Sequence, residues 1–232
     1  MSSTRLPGKV LKKLCNGETL IGVLLLRIKE LINEDIDIIV ATSEDESDDI
    51  LVNYLSKEFN WVKIFRGSLN NVLDRYYQAA LINNIHIIAR ITADCTFTDP
   101  FLIKEMLDEF VKSDFEYLAN TMPPEKSTFS DGFDVEIFTI TGLSKMMNLP
   151  ELTLQDKEHV TFLFWNSMHF KTGLFENLKS PNFQFKLSVD NINDFIMVDS
   201  IIKNIGVNKK FYEIEFFIAG NENISKINLE ST

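Results

Sequence analysis

Short apolar runs alternate with amphipathic stretches along the first half of the chain. Residues 36–41, 61–65 and 86–91 are apolar runs of strand length, and each is predicted to be a β-strand. Between them, apolar residues recur at helical spacing around Leu51 and around Tyr76. Strand–helix–strand repeats are typical of α/β proteins, so the pattern predicts a mostly parallel sheet flanked by helices.

The pattern changes from about residue 121. Alternating apolar positions predict a strand over 133–138, and another apolar run predicts a strand over 183–189. Helical spacing follows from Leu143, over 154–169, and twice in the tail. We therefore expect one domain, residues 1–232, with an antiparallel excursion in its second half. The region of about 121–170 is a candidate substrate-binding or dimerisation region.

One helix start can be predicted from its first residues. Asp99 is a good N-cap, and Pro100 after it suits the first helical position, because proline lacks the N–H that a first turn leaves unpaired. Asp99 is therefore interpreted as structural.

Composition and charge exclude several classes of protein. The 232 residues are 45% hydrophobic, which is enough for a sizeable core and too much for a disordered chain. The formal net charge of −11 would repel a phosphate backbone, so no nucleic-acid partner is expected. The best apolar run, 20–28, is interrupted by Arg27 and is too short to span a bilayer.

Targeting signals and cysteines add little. The chain begins without a secretory apolar segment, and a cytoplasmic protein without a membrane partner is expected. Cys15 and Cys95 are too few for a disulfide framework or a zinc cluster. Cys95 has no neighbouring His or Cys that would make it a nucleophile.

The first eleven residues contain the most specific local feature. Arg5 and Lys9 bracket the turn Pro7-Gly8, in a loop that begins with Ser2 and Ser3. Backbone N–H groups and two nearby cations can hold a polyphosphate. The alternative is a solvated basic segment, and the residues alone leave both readings open.

Two aspartates each follow a predicted strand. Asp94 comes after 86–91, and Asp190 comes directly after 183–189. Ligands of open α/β sheets bind at the carboxyl ends of strands, and two carboxylates with phosphate oxygens suit Mg²⁺. The alternative for each is a helix cap, which is the more serious for Asp190 because a helix is predicted just after it.

Several other polar residues are candidates with ordinary alternatives. Arg66 and Arg75 could bind the nucleotide or a substrate carboxylate, but an ion pair is an equal alternative for Arg75. Asp134 and Glu136 are predicted to share one strand face that could bind sugar hydroxyls, unless that face is simply solvated. His159 could contact substrate or a second subunit, although an isolated histidine is more often incidental.

The opening loop, SSTRLPGKVL, resembles the signature loop of the SpsF-like cytidylyltransferases. These sugar-acid cytidylyltransferases are related to the synthetases of CMP-sialic acid and CMP-3-deoxy-manno-octulosonate. The resemblance continues in family order through six further blocks: 65–68 (FRGS), 72–77 (VLDRYY), 90–95 (RITADC), 131–136 (DGFDVE), 158–161 (EHVT) and 188–190 (SVD). It spans nearly the whole chain.

The resemblance implies a Rossmann-like nucleotide-diphospho-sugar transferase fold and a reaction. A sugar-acid hydroxyl attacks the α-phosphorus of CTP, and pyrophosphate leaves, in an enzyme that uses Mg²⁺ and pairs as a homodimer. It implies catalytic roles for Arg5 and Lys9, and metal binding by Asp94 and Asp190. The implied nucleotide-binding residues are Ser2, Ser3, Arg5, Lys9, Arg66 and Arg75, and the implied substrate-binding residues are Asp134, Glu136 and His159.

Three departures from the family pattern are visible. Relatives carry a buried strand and an arginine before the loop, and without them the neighbouring strands are expected to keep unpaired edges. Thr96 stands where relatives often have proline, and Lys186-Leu187 where they often have arginine and tryptophan. Use of another nucleotide or acceptor, or a non-catalytic nucleotide-binding role, therefore stays open.

Overall fold

Strands and helices alternate through the first half of the chain, close to the predicted positions. The computed structural model describes residues 5–33, 35–150 and 152–229. Its strands are β1 (Ile39–Ser43), β2 (Lys63–Gly67), β3 (Ile87–Arg90), β4 (Tyr117–Ala119), β5 (Glu136–Thr139) and β6 (Thr172–Leu174). Its helices are α1 (Leu20–Ile28), α2 (Asp49–Glu58), α3 (Val72–Ile82), α4 (Pro100–Lys112), α5 (Ile140–Met147), α6 (Leu154–His159), α7 (Phe162–Asn166), α8 (Ile192–Ile205), α9 (Phe211–Ala219) and α10 (Glu222–Ser225).

The strands pair in two groups. β1 is parallel to β2, and the other four strands form a sheet in the order β3-β5-β4-β6. β5 is antiparallel to both of its neighbours, whereas β4 and β6 are parallel. The α/β class is confirmed, and the antiparallel pairings both involve the strand of the predicted excursion.

Two strands have an edge without a strand neighbour. Among the described residues, β1 pairs only with β2, and β3 pairs only with β5. Apolar residues on both remain partly open to solvent, including Ile39 and the exposed Ile87.

Asp99 begins α4 as predicted. Its side chain accepts a hydrogen bond from the backbone N–H of Phe101, and Pro100 is the first helical residue. Its second oxygen accepts from the backbone N–H of Phe211, which ties the start of α4 to α9. The cap is therefore also a tertiary contact.

α1 was not predicted as a helix, because periodicity alone does not assign a nearly continuous apolar run to a helix or a strand. Eight of its nine residues are buried. Among them is Arg27, whose guanidinium donates to backbone carbonyls of Phe97, Thr98 and Lys209 at 2.9–3.2 Å. Burial of a charge is tolerated there because its donors are satisfied.

Two predicted elements are wrong in detail. Residues 183–189 form no strand, because this segment meets its neighbour at one isolated bridge, Asp131 to Lys186. The predicted helix over 154–169 is broken at Val160, which has φ 58°. Val160 and Phe164, on either side of the break, are both fully buried in one core.

Two apolar clusters hold these elements together. The larger contains residues of α1, α4, α8 and α9. The smaller lies where β4 and β5 meet α5 and α7, and it includes Tyr117 stacked on Phe164 with ring centroids 5.1 Å apart. Across the described ranges, no helix is both long and apolar enough to cross a bilayer.

Candidate nucleotide and metal site

The loop before α1 turns back on itself at Gly8. Gly8 has φ 66°, a left-handed conformation that glycine adopts without a steric cost. The turn is closed by a 3.1 Å hydrogen bond from the backbone N–H of Lys9 to the carbonyl of Leu6. Lys9 then begins a short 3-10 turn. Ser2 and Ser3 lie outside the described residues.

Asp94 and Asp190 are brought together by backbone pairing. The backbone N–H of Val189 donates to the carbonyl of Asp94 at 3.1 Å. Asp94 lies four residues beyond β3, and Asp190 immediately precedes the cap of α8. That cap is Asn191, whose side chain accepts from the N–H groups of residues 193 and 194. Asp190 is therefore not the N-cap of α8.

Lys9 lies between these two aspartates. Its Nζ is 2.8 Å from Oδ2 of Asp94 and 3.3 Å from Oδ1 of Asp190, and it donates to the carbonyl of Val189 at 2.6 Å. Burial alone would raise the pKa of Asp94, but the charge and hydrogen bond of Lys9 outweigh it and lower that pKa. Lys9 is itself largely shielded, with 13% of its side chain exposed.

Asp190 contacts two further cations. Nη2 of Arg5 is 3.2 Å from its Oδ2, and Nζ of Lys186 is 3.3 Å from the same atom. The Arg5 side chain is 66% exposed, so it is free to reorient toward an incoming anion. The structure thus brings together four of the predicted residues: Arg5, Lys9, Asp94 and Asp190.

Asp194 anchors the backbone at Asp190 and the side chain of Lys186. Its Oδ2 accepts hydrogen bonds from the backbone N–H of Asp190 (2.9 Å), the N–H of Asn191 (3.0 Å) and Nζ of Lys186 (2.6 Å). It is 1% exposed. Burial alone would raise the pKa of Asp194. The hydrogen bonds from Lys186 and the backbone N–H groups outweigh burial, so the pKa is below its ordinary value. The ion pair between Asp194 and Lys186 was not predicted, although the two residues flank the segment 188–191 (SVDN) in the sequence.

Asp131 and Asp134 form a second pair of acidic residues. Asp131 accepts from the hydroxyl of Ser188 at 2.8 Å, and desolvation together with the charge of Asp134 raises the pKa of Asp131 to about 6. Asp134 accepts from the hydroxyl of Thr121 and is 3.6 Å from Sγ of Cys95. Asp94 and Asp134 both contact Sγ of Cys95, and the predicted substrate-binding role of Asp134 stays a prediction. Asp131 was not among the predicted site residues.

Cys95 is not a nucleophile in this environment. It is 2% exposed, and its Sγ lies 3.8 Å from Oδ1 of Asp94. Burial and then the charges of Asp134 and Asp94 raise the pKa of the thiol well above its usual value. The thiol therefore stays protonated.

Arg66 and Arg75 are held in contacts of their own. Arg66 is at the end of β2, where it pairs with Asp49 at 2.6 Å and donates to the carbonyl of Ser43. Arg75, on α3, donates through Nη1 to the carbonyl of Ser68, while its buried Nε has no hydrogen-bond partner. No contact among the described residues links either one to the aspartate pair, so their predicted nucleotide-binding role stays a prediction.

Glu136 and His159 are placed differently from expectation. Glu136 is buried, where it pairs with Arg90 and accepts from the hydroxyl of Tyr117 at 2.6 Å. These contacts make its carboxylate a buried structural group of the sheet. His159 is the last residue of α6, and its side chain is exposed. Its predicted contact with substrate stays a prediction.

The donor set around Lys9 fits a divalent cation. Two carboxylate oxygens and one backbone carbonyl surround a single positive group, and hard oxygens of these kinds are the ligands that Mg²⁺ takes. Within the described part of the chain, no group of three or more His, Cys, Asp and Glu could hold a metal. A metal here would therefore need ligands from outside the protein, such as phosphate oxygens and water.

Comparison with known proteins identifies the family of the chain. A family model described as cytidylyltransferase matches residues 1–212. The spore coat polysaccharide biosynthesis protein SpsF of Bacillus subtilis is 30% identical over 215 residues, which are 89% of this chain and 84% of that protein. A cytidylyltransferase structure from Leptospira borgpetersenii is 31% identical with a TM-score of 0.86, covering 97% of this chain and 92% of that one.

A more distant structure shares the fold. CMP:2-keto-3-deoxy-manno-octonic acid synthetase, complexed with CTP, is 14% identical with a TM-score of 0.62, covering 87% of this chain and 94% of that one. The fold is thus that of the Rossmann-like nucleotide-diphospho-sugar transferases, and its class is the nucleotidyltransferases. Within that class, the chain belongs to the cytidylyltransferase family, and the resemblance seen in its sequence blocks is confirmed.

Proposed function

We propose that this chain is a Mg²⁺-dependent cytidylyltransferase that transfers CMP from CTP to a sugar acid of the ulosonate or nonulosonate type. The sugar-acid hydroxyl oxygen forms a bond to the α-phosphorus, the bond from that phosphorus to the β-phosphate oxygen breaks, and pyrophosphate leaves. The hydroxyl proton passes to solvent. The product would serve surface polysaccharide biosynthesis, the process named for the SpsF relative.

One observation supports this proposal above the others. Lys9 and Arg5, on one loop, meet Asp94 and Asp190 in a single site. An acidic protein needs local positive charge to bind a triphosphate, and this loop provides it. Bound Mg²⁺ would neutralise charge on the phosphates, and two carboxylates with outside oxygens could hold it.

The residues of this chain would then have distinct tasks. Arg5 and Lys9 bind the triphosphate and stabilise the departing pyrophosphate, and Asp94 and Asp190 hold the metal. Asp134, whose carboxylate is 3.6 Å from Sγ of Cys95, would bind substrate hydroxyls. We extend the proposal to a cytoplasmic homodimer that is one domain over residues 1–232 and pairs through the region of about 121–170.

The test is pyrophosphate release with Mg²⁺, four nucleoside triphosphates and a panel of ulosonic acids. We expect release to depend on CTP and on one class of acid. Asp94→Asn should reduce it by about 100-fold or more, the usual size of losing one electrostatic group at a reacting centre. Asp108→Asn is the matched control, since Asp108 is exposed on α4.

Each other result has a definite meaning. Release driven by another nucleotide would contradict the choice of CTP. Full activity in Asp94→Asn would remove Asp94 from the metal site. No release with any nucleotide would favour a non-catalytic nucleotide-binding protein.

A further inference from the structure

Lys9 occupies the position that both aspartates share. Of the three cations that contact Asp190, Lys9 is the one that also contacts Asp94. Lys186 is anchored by its 2.6 Å bond to Asp194, and Arg5 is largely exposed. A divalent cation that bridges Asp94 and Asp190 has to enter where the ammonium of Lys9 now lies.

The two cations cannot share that position. The three oxygens around Nζ of Lys9 are 2.6–3.3 Å away, whereas Mg²⁺ binds oxygens at about 2.0–2.1 Å. A metal on the same oxygens would lie within a few ångström of the ammonium, where like charges repel strongly in a partly buried site. Binding of one therefore displaces the other.

Lys9 can leave without any movement of the backbone. Its loop is fixed by the Gly8 turn and the bond from Lys9 N–H to Leu6, but the lysine side chain is a flexible four-carbon stem. Its departure costs a buried ion pair unless another anion receives the ammonium. A triphosphate beside the loop would be that anion.

We propose that Lys9 is a stand-in cation that keeps Asp94 and Asp190 paired in the nucleotide-free protein and yields this position to the divalent metal when a triphosphate binds. The inference rests on the proposed function, because it takes the triphosphate as the ligand that receives Lys9. It makes metal and nucleotide binding cooperative: the metal alone binds weakly, and the two together bind well.

The first test is a titration of nucleotide-free protein with Mn²⁺. Binding is measured from the electron paramagnetic resonance signal of the Mn²⁺ that stays free. Lys9→Met should bind Mn²⁺ roughly 10- to 100-fold more tightly than the wild type, the usual range of coupling between competing ligands. Lys13→Met removes the same charge from an exposed position on the same segment and should leave the affinity unchanged. Adding Asp94→Asn to Lys9→Met should abolish the gain.

A second measurement uses the wild-type protein alone and does not depend on the folding of a variant. Lysine acylation, mapped by mass spectrometry, should be low at the shielded Lys9 and rise several-fold when Mn²⁺ is bound without nucleotide. Acylation of Lys13 should not change.

The outcomes separate this inference from the proposed function. If Lys9→Met gains no affinity for Mn²⁺ over Lys13→Met, or if Lys9 acylation is unchanged at saturating Mn²⁺, the stand-in role is wrong. That result leaves the function intact if the wild type still releases pyrophosphate from CTP. If the Mn²⁺ results are as expected but no pyrophosphate is released from CTP, the proposed function is wrong. The competition between Lys9 and the metal would then still hold.

Discussion

Asp194 is expected to be the residue on which the position of Asp190 depends. One of its oxygens accepts from two backbone N–H groups and from the ammonium of Lys186, and the other accepts from Asn228 at 3.0 Å. Asp194→Asn keeps the shape of the side chain and removes its charge. The three donors to its first oxygen, the two backbone N–H groups and Lys186, then lose a charged acceptor.

The size of the effect follows from those three bonds. A hydrogen bond to a charged group is stronger than a neutral one by about 1 kcal/mol, so three bonds lose about 3 kcal/mol. Because 39% of the Lys186 side chain is exposed, solvent recovers part of this and about 2–3 kcal/mol remains. For a chain of this size, the melting temperature should fall by about 4–12 °C.

Thermal unfolding and a metal titration of pyrophosphate release test this together. Asp194→Asn should raise the Mg²⁺ concentration needed for half-maximal activity more than it lowers the maximal rate, because Asp190 is displaced and not removed. Asp108→Asn is again the control for loss of one carboxylate. A melting temperature equal to that of the control, with unchanged metal dependence, would refute the positioning role.

Two further substitutions test the fold around the site. Gly132 has φ 106°, and an added Cβ would lie 2.6 Å from backbone atoms of residues 187–188. Gly132→Ala should therefore cost about 1–2 kcal/mol of backbone strain plus about 1–3 kcal/mol of overpacking. Gly17→Ala, at φ 88° with nothing within 4 Å, should show only the strain in the same melting experiment. Glu215 is fully buried, and burial raises its pKa although two serine hydroxyls donate to it. The folded protein thus binds a proton that the unfolded chain releases, so wild-type stability falls as pH rises through the raised pKa. The melting temperature of Glu215→Gln relative to wild type should increase as the pH rises above the ordinary pKa of a glutamate, and a constant difference would contradict the shift.

The strands of the first half were predictable because their signal is local. Apolar runs of five or six residues separated by amphipathic stretches gave β1, β2 and β3 to within three residues at each end. Asp99 and Pro100 gave the start of α4, since capping depends on adjacent residues alone. α1 escaped prediction because its nine residues form a nearly continuous apolar run, which periodicity alone does not assign to a helix or a strand.

The core and the break at Val160 were not predictable in this way. Residues 154–169 have a continuous helical pattern, but the chain leaves the helix at Val160, whose φ is 58°. A positive φ is rare at a β-branched residue, so the local sequence does not indicate this break. Residues 183–189 look like a strand, yet a strand also needs a neighbour that runs alongside it. Here that neighbour meets the segment at a single bridge.

For the site, the sequence predicted which residues carry the chemistry, whereas the contacts between those residues are visible only in the folded chain. The blocks around Lys9, Asp94 and Asp190 were recognisable one by one, because motifs are written in neighbouring residues. The sequence did not show that Lys9 bonds to both aspartates, that Asp194 holds Asp190, or that Glu136 belongs to the sheet. The contacts of Lys9 and of Glu136 join residues far apart along the chain, up to 181 positions for Lys9 and Asp190. They exist only once backbone pairing and burial have brought those segments together.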